Sequence, residues 1–290
     1  MSGTERPPGR MLRVGGVPLH VVREGTGPVC VLSAGLGMGW FDWEQVVPLL
    51  APYRTVVRFD RPGLGFSAPA VEPPTAAAEA ARIAGVLDAL DLPGPATVVG
   101  HSLAGFHAEA FARLYPERTA GLVLVDGSVE EDARPVPGRE LRTAAAHVRG
   151  LAFATAGLPR ALGPALRRFS VRSASVKRQD PAPAELVRRT YGTGRVMRAI
   201  LMENTRYRDV AAELEELRAH HGLPPAPVTV LAASPGTGSC PERRWLLRQR
   251  ALADRLDARF EAVAPAGHLL MYDRPQAVAA AVLATPFLRG

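Results

Sequence analysis

The 290-residue sequence predicts an α/β fold: a mostly parallel central sheet of about eight strands flanked by helices, with a helical cap inserted before the last two strands. Short runs rich in β-branched residues recur along the chain. Several are continuously apolar, as expected of strands buried on both faces of a parallel sheet. Helix-like segments alternate with the later runs through short connections, which implies right-handed crossovers. Between about Val129 and Pro227 this alternation stops, and helix-like pieces with many Gly and Pro interruptions replace it. The core is therefore expected over 1–128 and 228–290, and the cap over 129–227.

In chain order, Met11–Val14 and Leu19–Arg23 read as strands joined around "GGVP" into a hairpin. Val29–Ser33 and Thr55–Asp60 follow as strands, with a helix expected over Asp42–Leu50. A helix over Thr75–Leu90 leads to the strand Thr97–Gly100. The next helix, Ser102–Leu114, places Leu103, Phe106, His107, Ala110, Phe111 and Leu114 on one stripe, ahead of the strand Gly121–Val125. In the insertion, helices are expected over Glu140–Ala156, Ala184–Tyr191 and Arg195–His220. The Pro-rich "GLPPAP" then returns the chain to the sheet. Strands Val228–Ala233 and Arg259–Ala264, with helices over Pro241–Leu256 and Pro275–Leu288, complete the pattern.

Composition narrows the function classes. With 47% hydrophobic and 22% charged residues, the chain is ordinary globular material. No apolar run approaches the ~18–20 residues needed to cross a bilayer. The N-terminus lacks the apolar centre of a secretory signal, so a cytoplasmic location is expected. Cys30 and Cys240 are too few for a disulfide framework, and Cys30 sits in an apolar run as a small buried residue would. Of the net charge of +7, +6 falls between Glu130 and Glu215, where 16 Lys and Arg face 10 Asp and Glu. These arginines stand singly or in pairs without aromatic interleaving, so no nucleic-acid partner is expected. A solvated arginine-rich face accounts for them, as does a basic rim suited to an anionic substrate or an acidic carrier.

The stretch "TVVGHSLAGF" carries the chemistry. An apolar strand stops at Ser102 and a helix begins at once. A nucleophile on such a corner needs small neighbours two residues away on either side, because bulk there would collide across the turn. Gly100 and Ala104 occupy those places. Free N–H groups in the helix's first turn, including that of Leu103, can stabilise a developing oxyanion. "VLSAGLGMGW" offers a second donor in the N–H of Leu36, with Gly35 permitting close approach. A serine also needs a base. Of seven histidines, His268 follows the last strand on a loop, at the sheet edge where Ser102 emerges. His107 reads as a packed core residue. His101, Gly35 and Trp40 are expected beside the substrate, and Phe41, Trp43 and Phe66 line the pocket or pack the core.

"LSAGLGMGWFDWEQVVPLLA", "RFDRPGLGFS", "VVGHSLAGFHAEAFARLYPERTAGLVLVD" and "AGHLLMYDRPQAVAAAV" resemble, in order and spacing, the landmarks of the α/β-hydrolase fold superfamily. The resemblance covers roughly residues 11–128 and 228–288. It implies a Ser102 nucleophile, a His268 base and an oxyanion hole from Leu36 and Leu103. It also implies structural roles for Asp60-Arg61 and Asp273-Arg274. Two departures stand out. The usual histidine-glycine pair at the oxyanion loop is Ala34-Gly35 here. The usual position of the acid, after the strand that follows the cap, holds Ser and Gly in "VLAASPGTGSCPERRW". Asp126, at the end of the strand "GLVLVD", preserves the order nucleophile, acid, base. Glu242 and the run Glu130-Glu131-Asp132 are the alternatives.

These residues imply a serine hydrolase acting on a small or medium acyl ester, thioester or lactone. The same constellation serves acyl transfer, cyclisation or C–C bond cleavage, and the fold also serves as a small-ligand receptor. No metal-ligand spacing and no phosphate or dinucleotide loop appears, so no cofactor is implied.

Overall fold

The computed structural model describes residues 7–285. Eight strands form one sheet in the order β1-β2-β4-β3-β5-β6-β7-β8. They are β1 (Arg10–Val14), β2 (Val17–Glu24), β3 (Val29–Ser33), β4 (Thr55–Phe59), β5 (Ala96–His101), β6 (Thr119–Val125), β7 (Val228–Ala233) and β8 (Arg259–Val263). The β1–β2 and β2–β4 pairs are antiparallel, and every other pair is parallel. The carboxyl ends of β3, β5, β6, β7 and β8 therefore share one edge.

The period of two along the strands explains why they read as continuously apolar. Val31, Val57, Val98, Leu122 and Val230 enter one core with Ile83, Leu87 and Phe111. Their neighbours Cys30, Val56, Val99, Val123 and Leu231 enter a second core on the opposite face, with Trp43, Leu50 and Val282. Both faces are covered by helices, so neither needs polar residues. Burial pushes the Cys30 thiol up to about 12, against a smaller opposing effect of Arg54, and leaves it unreactive.

Helices α2 (Ala76–Ala89), α3 (Ala104–Leu114), α8 (Cys240–Arg255) and α10 (Pro275–Leu283) lie where the sequence places them, with the one-turn α9 (Leu270–Asp273) just before α10. The predicted tail of the last helix, 286–288, falls outside the described residues. Asp42–Leu50 is not one helix. It divides into a 3-10 turn, Trp40–Trp43, and the short α1 (Val47–Leu50). The Gly39 N–H donates to Asp42 Oδ2 at 2.7 Å, closing the first turn, and Pro48 sits in the opening turn of α1, where no N–H is required.

Between β6 and β7 run α4 (Arg139–Thr155), α5 (Leu158–Ala174), α6 (Ala184–Tyr191) and α7 (Gly194–His220). The sequence reading misses α5 because Pro159, Gly163 and Pro164 look like loop residues. Pro159 opens the helix, but Pro164 lies inside it, where a proline typically costs about 3 kcal/mol. Packing offsets that cost: Gly163 seats against the Tyr191 carbonyl so closely that a Cβ would come within 2.0 Å of the oxygen. The 27-residue α7 crosses α3 and covers the face that amphipathicity alone assigns to solvent. Glu109 on that face is buried and accepts from Arg113 and from Arg218 of α7, at 2.8 and 2.6 Å.

Candidate active site

The corner at Ser102 is strained as its sequence requires. Ser102 has φ of +52°, an uncommon conformation for a residue with a side chain. Its N–H donates to the Val125 carbonyl at 3.2 Å and its carbonyl accepts from the Ser128 N–H at 3.1 Å, so the turn is tied to the end of β6. A Cβ on Gly100 would stand 2.3 Å from the Ala104 carbonyl oxygen, which is why the position before His101 carries no side chain. The regular helix starts at Ala104, two residues after Ser102.

Asp126 and His268 meet across the sheet edge. His268 Nδ1 donates to Asp126 Oδ2 at 2.6 Å. Asp126 Oδ1 accepts from the Ala233 N–H and from Trp245 Nε1, each at 2.8 Å. Three donors thus hold one carboxylate that is 2% exposed. Because a carboxylate can only accept, His268 Nδ1 carries the proton and Nε2 keeps its lone pair. Trp245, on α8, is a contributor that sequence reasoning missed. Nothing in its spacing connects it to a residue 119 positions earlier.

Glu242 faces elsewhere. It accepts from Ser234 Oγ, from Thr237 Oγ1 at 2.8 Å and from the Gly236 N–H at 2.8 Å. These bonds hold its carboxyl down to about 2 and tie the loop after β7 to the start of α8. Glu130, Glu131 and Asp132 line a separate surface hollow with Arg218 and Arg248.

The strand end at β3 is gripped from both sides. Arg61 donates to the carbonyl of Ala34, and its Nη2 donates to that of Gly35 at 2.7 Å. Fixing the Gly35 carbonyl fixes the Gly35–Leu36 peptide plane, and with it the direction of the Leu36 N–H on the opposite side. Glu203 of α7 completes the arrangement. It accepts from Arg61 Nε at 2.6 Å and from the Gly37 N–H at 2.8 Å, while Tyr191 Oη donates to the Gly37 carbonyl at 2.8 Å. Arg61 was recognisable as a structural landmark. Glu203 was not, because its partners are more than 140 residues away. Among the described residues, neither the Leu36 nor the Leu103 N–H donates to a protein acceptor. Asp273 has the comparable task beneath His268: it accepts from the Gly267 N–H at 2.8 Å and from Ser175 Oγ at 2.5 Å.

Ser102, His101, His268, Leu36 and Gly37 line one cavity of about 360 Å³, walled on the other side by Leu166, Val171, Tyr191, Met197 and Ile200 of the insertion. The lining is mainly apolar. Its one arginine, Arg167, is buried and committed to Asp42, Asp180 and the hydroxyls of Tyr191 and Tyr272. The arginine-rich insertion therefore offers no unpaired cation to this cavity. Trp40, expected beside the substrate, lies instead in a third buried cluster with Val22, Leu64 and Val187, under the guanidinium of Arg58. Phe41 shares that cluster, Trp43 lies in the second core, and Phe66 packs edge-on against His20. Gly35 supports the wall from behind, since a Cβ there would be 2.7 Å from His101 Nδ1 and 3.2 Å from Ser102 Cβ.

His101 is buried beneath His268, their ring centroids 4.7 Å apart, and its Nε2 donates to the His268 carbonyl at 3.0 Å. Burial, then the neighbouring His268, pushes its titration well below the usual histidine value, so the His101 ring stays neutral. His107 is pushed down by burial and by Arg61 and Arg82, and neither of its ring nitrogens has a protein partner. Both rings stay neutral in the folded protein, whereas in the unfolded chain they protonate near pH 6.5. The unfolded state thus binds more protons below pH 6.5. Stability should fall on acidification from pH 7 to 5, each histidine adding a slope approaching about 1.4 kcal/mol per pH unit. His107→Leu is expected to remove one such share. Urea unfolding at pH 7, 6 and 5 measures it, and an unchanged slope would contradict the neutral buried assignment.

A strained serine corner, a carboxylate-oriented histidine and a braced loop at the carboxyl edge of a largely parallel sheet define a class. The chain belongs to the alpha/beta hydrolase family, whose model matches residues 30–281. Over 129 residues it is 35% identical to the 2-hydroxy-6-oxo-2,4-heptadienoate hydrolase of Pseudomonas putida, across 43% of this chain and 46% of that protein. Over 110 residues it is 37% identical to the pimeloyl-[acyl-carrier protein] methyl ester esterase of Vibrio campbellii, across 38% and 41%. The chain thus matches less than half the length of these curated relatives. Cfl2 of Burkholderia cenocepacia superposes with a TM-score of 0.72 at 26% identity, over 94% of each chain. The enol-lactonase of Burkholderia xenovorans LB400 does so with a TM-score of 0.64 at 22% identity, over 94% and 98%, a likeness of fold alone.

Proposed function

We propose that the protein is a serine hydrolase whose triad is Ser102, His268 and Asp126, acting on a small or medium ester, thioester or lactone with an uncharged acyl group. Ser102 Oγ attacks the acyl carbon as its proton passes to His268 Nε2. Asp126 holds the imidazole in the required tautomer and stabilises its charged form. The N–H groups of Leu36 and Leu103 receive the oxyanion. His268 then returns the proton to the leaving group, and water activated by the same nitrogen releases the acid. The observation that carries this reading is the 2.6 Å His268–Asp126 bond beside a serine held at φ of +52° in the same cavity. Segment 129–227 acts as the cap, a role supported by the nine insertion residues in the cavity wall.

The apolar lining supports the uncharged acyl group, and its size suits a chain of several carbons. Cleavage of a C–C bond is the second reading, favoured by the Pseudomonas relative. A dienoate carries a carboxylate, however, and the cavity's arginine is already neutralised by Asp42 and Asp180. The ester reading therefore ranks first.

The test is a small fluorophosphonate followed by peptide mapping, with p-nitrophenyl acyl esters as substrates. One adduct on Ser102 is expected, and Ser102→Ala should lower turnover by about 10³-fold or more. Undiminished hydrolysis by purified Ser102→Ala would end the proposal.

A further inference from the structure

We propose that the outer face of α4 and α5 docks on an anionic lipid surface, placing the cavity mouth against it. Nine of the thirteen large apolar side chains that stand exposed among the described residues lie between 141 and 176. On α5, Leu158, Leu162, Leu166 and Phe169 recur at helical spacing and are 36, 50, 53 and 70% exposed. Val148 and Leu151 on the neighbouring α4 are 67 and 55% exposed. Single exposed apolar residues are ordinary, but a row spread over two adjacent helices marks an interaction surface. The row is continuous with the proposed site, because Leu166 both stands at the surface and walls the cavity.

Charge decides what the surface fits. Residues 139–178 hold nine Lys and Arg against the single acid Glu140, a net +8. Arg139, Arg142 and Arg167 are paired with acids elsewhere in the fold. Among the described residues, Arg149, Arg160, Arg168, Arg172 and Arg178 have no acidic partner, and Arg168 and Arg172 border the apolar row of α5. Apolar side chains directed outward with arginines along the edge form the pattern of a helix lying in the plane of a bilayer. There the apolar groups enter the acyl region and the cations meet phosphates. A second copy of the chain would bring +8 against +8. A folded acidic protein would satisfy the arginines but would also need a matching apolar row, whereas an anionic bilayer supplies both chemistries without any demand on shape. Delivery of an apolar acyl ester from that surface to Ser102 rests on the proposed hydrolase activity; the docking itself does not.

The full chain should sediment with vesicles of equimolar phosphatidylcholine and phosphatidylglycerol, much less with phosphatidylcholine alone, and less at high salt. Leu162→Glu with Phe169→Glu should weaken partitioning at least tenfold. Arg160→Gln and Arg172→Gln should each weaken it about fivefold on the anionic vesicles. All four side chains face solvent, so circular dichroism and turnover of a water-soluble ester should stay within about twofold of the parent. Ser102→Ala should bind vesicles as the parent does, which separates failure of docking from failure of the hydrolase reading. Absence of sedimentation with anionic vesicles overturns the proposal. So does binding that survives the double glutamate substitution. A vesicle-negative protein that forms a dimer broken by Phe169→Glu, or that instead binds an acidic carrier protein, would assign the face to that partner.

Discussion

Asp126→Asn is expected to lower kcat on a p-nitrophenyl ester about ten-thousandfold while leaving the fold intact. The size of the effect follows from the donors around the carboxylate. The Ala233 N–H and Trp245 Nε1 both donate to Oδ1, so an asparagine must place its carbonyl oxygen there. Its NH₂ group then faces His268 Nδ1, 2.6 Å away in the parent. That nitrogen would have to accept, the ring proton would move to Nε2, and the lone pair proposed to receive the Ser102 proton would be lost. Asp126→Glu should also be poor, because three donors fit the shorter carboxylate. Pre-steady-state release of p-nitrophenol measures the acylation step directly. A fall of less than about tenfold would mean that another carboxylate orients His268.

Arg61→Ala should reduce kcat by about 10²–10³-fold with little change in KM, the cost of losing one of the two proposed oxyanion donors. Arg61 makes no contact with the proposed reacting atoms. It holds the carbonyls of Ala34 and Gly35 and thereby the Leu36 N–H, so it is a positioning residue. The same change leaves Glu203 buried without its cation, at about 3–5 kcal/mol of stability. Glu203→Gln inverts the experiment. The amide oxygen can still accept from the Gly37 N–H, but Arg61 loses its counter-ion, so activity should fall less than in Arg61→Ala while melting drops in both. Arg61→Lys retains charge without the fork that reaches two carbonyls and a carboxylate, and should fall between them. Equal kcat in all three variants would remove the coupling between α7 and the oxyanion loop.

The braces around the site differ in how far apart they are in sequence, and so in how readable they were. Ser102, Gly100 and Ala104 are local, and steric demands across one turn are written in adjacent letters. His268 was legible because it follows a strand whose carboxyl end must share an edge with that of β5. Asp126 could be ranked but not paired, since its partners lie 107, 119 and 142 residues away. Trp40 shows the opposite failure: an aromatic close in sequence to the oxyanion loop packs in a separate buried cluster.

The sequence by itself determined the class of fold and the placing of the serine and histidine at the carboxyl edge of the sheet. These depend on hydrophobic period and on the backbone geometry of single turns, which are local properties. Tertiary structure alone decided which carboxylate meets His268, that Glu203 braces Arg61, that the insertion's arginines leave the cavity apolar, and that a proline-containing helix forms the exposed face. Each of these depends on groups brought together over long stretches of chain. Burial there fixes which charges must pair and which side chains reach solvent, and no spacing in the sequence encodes that distance.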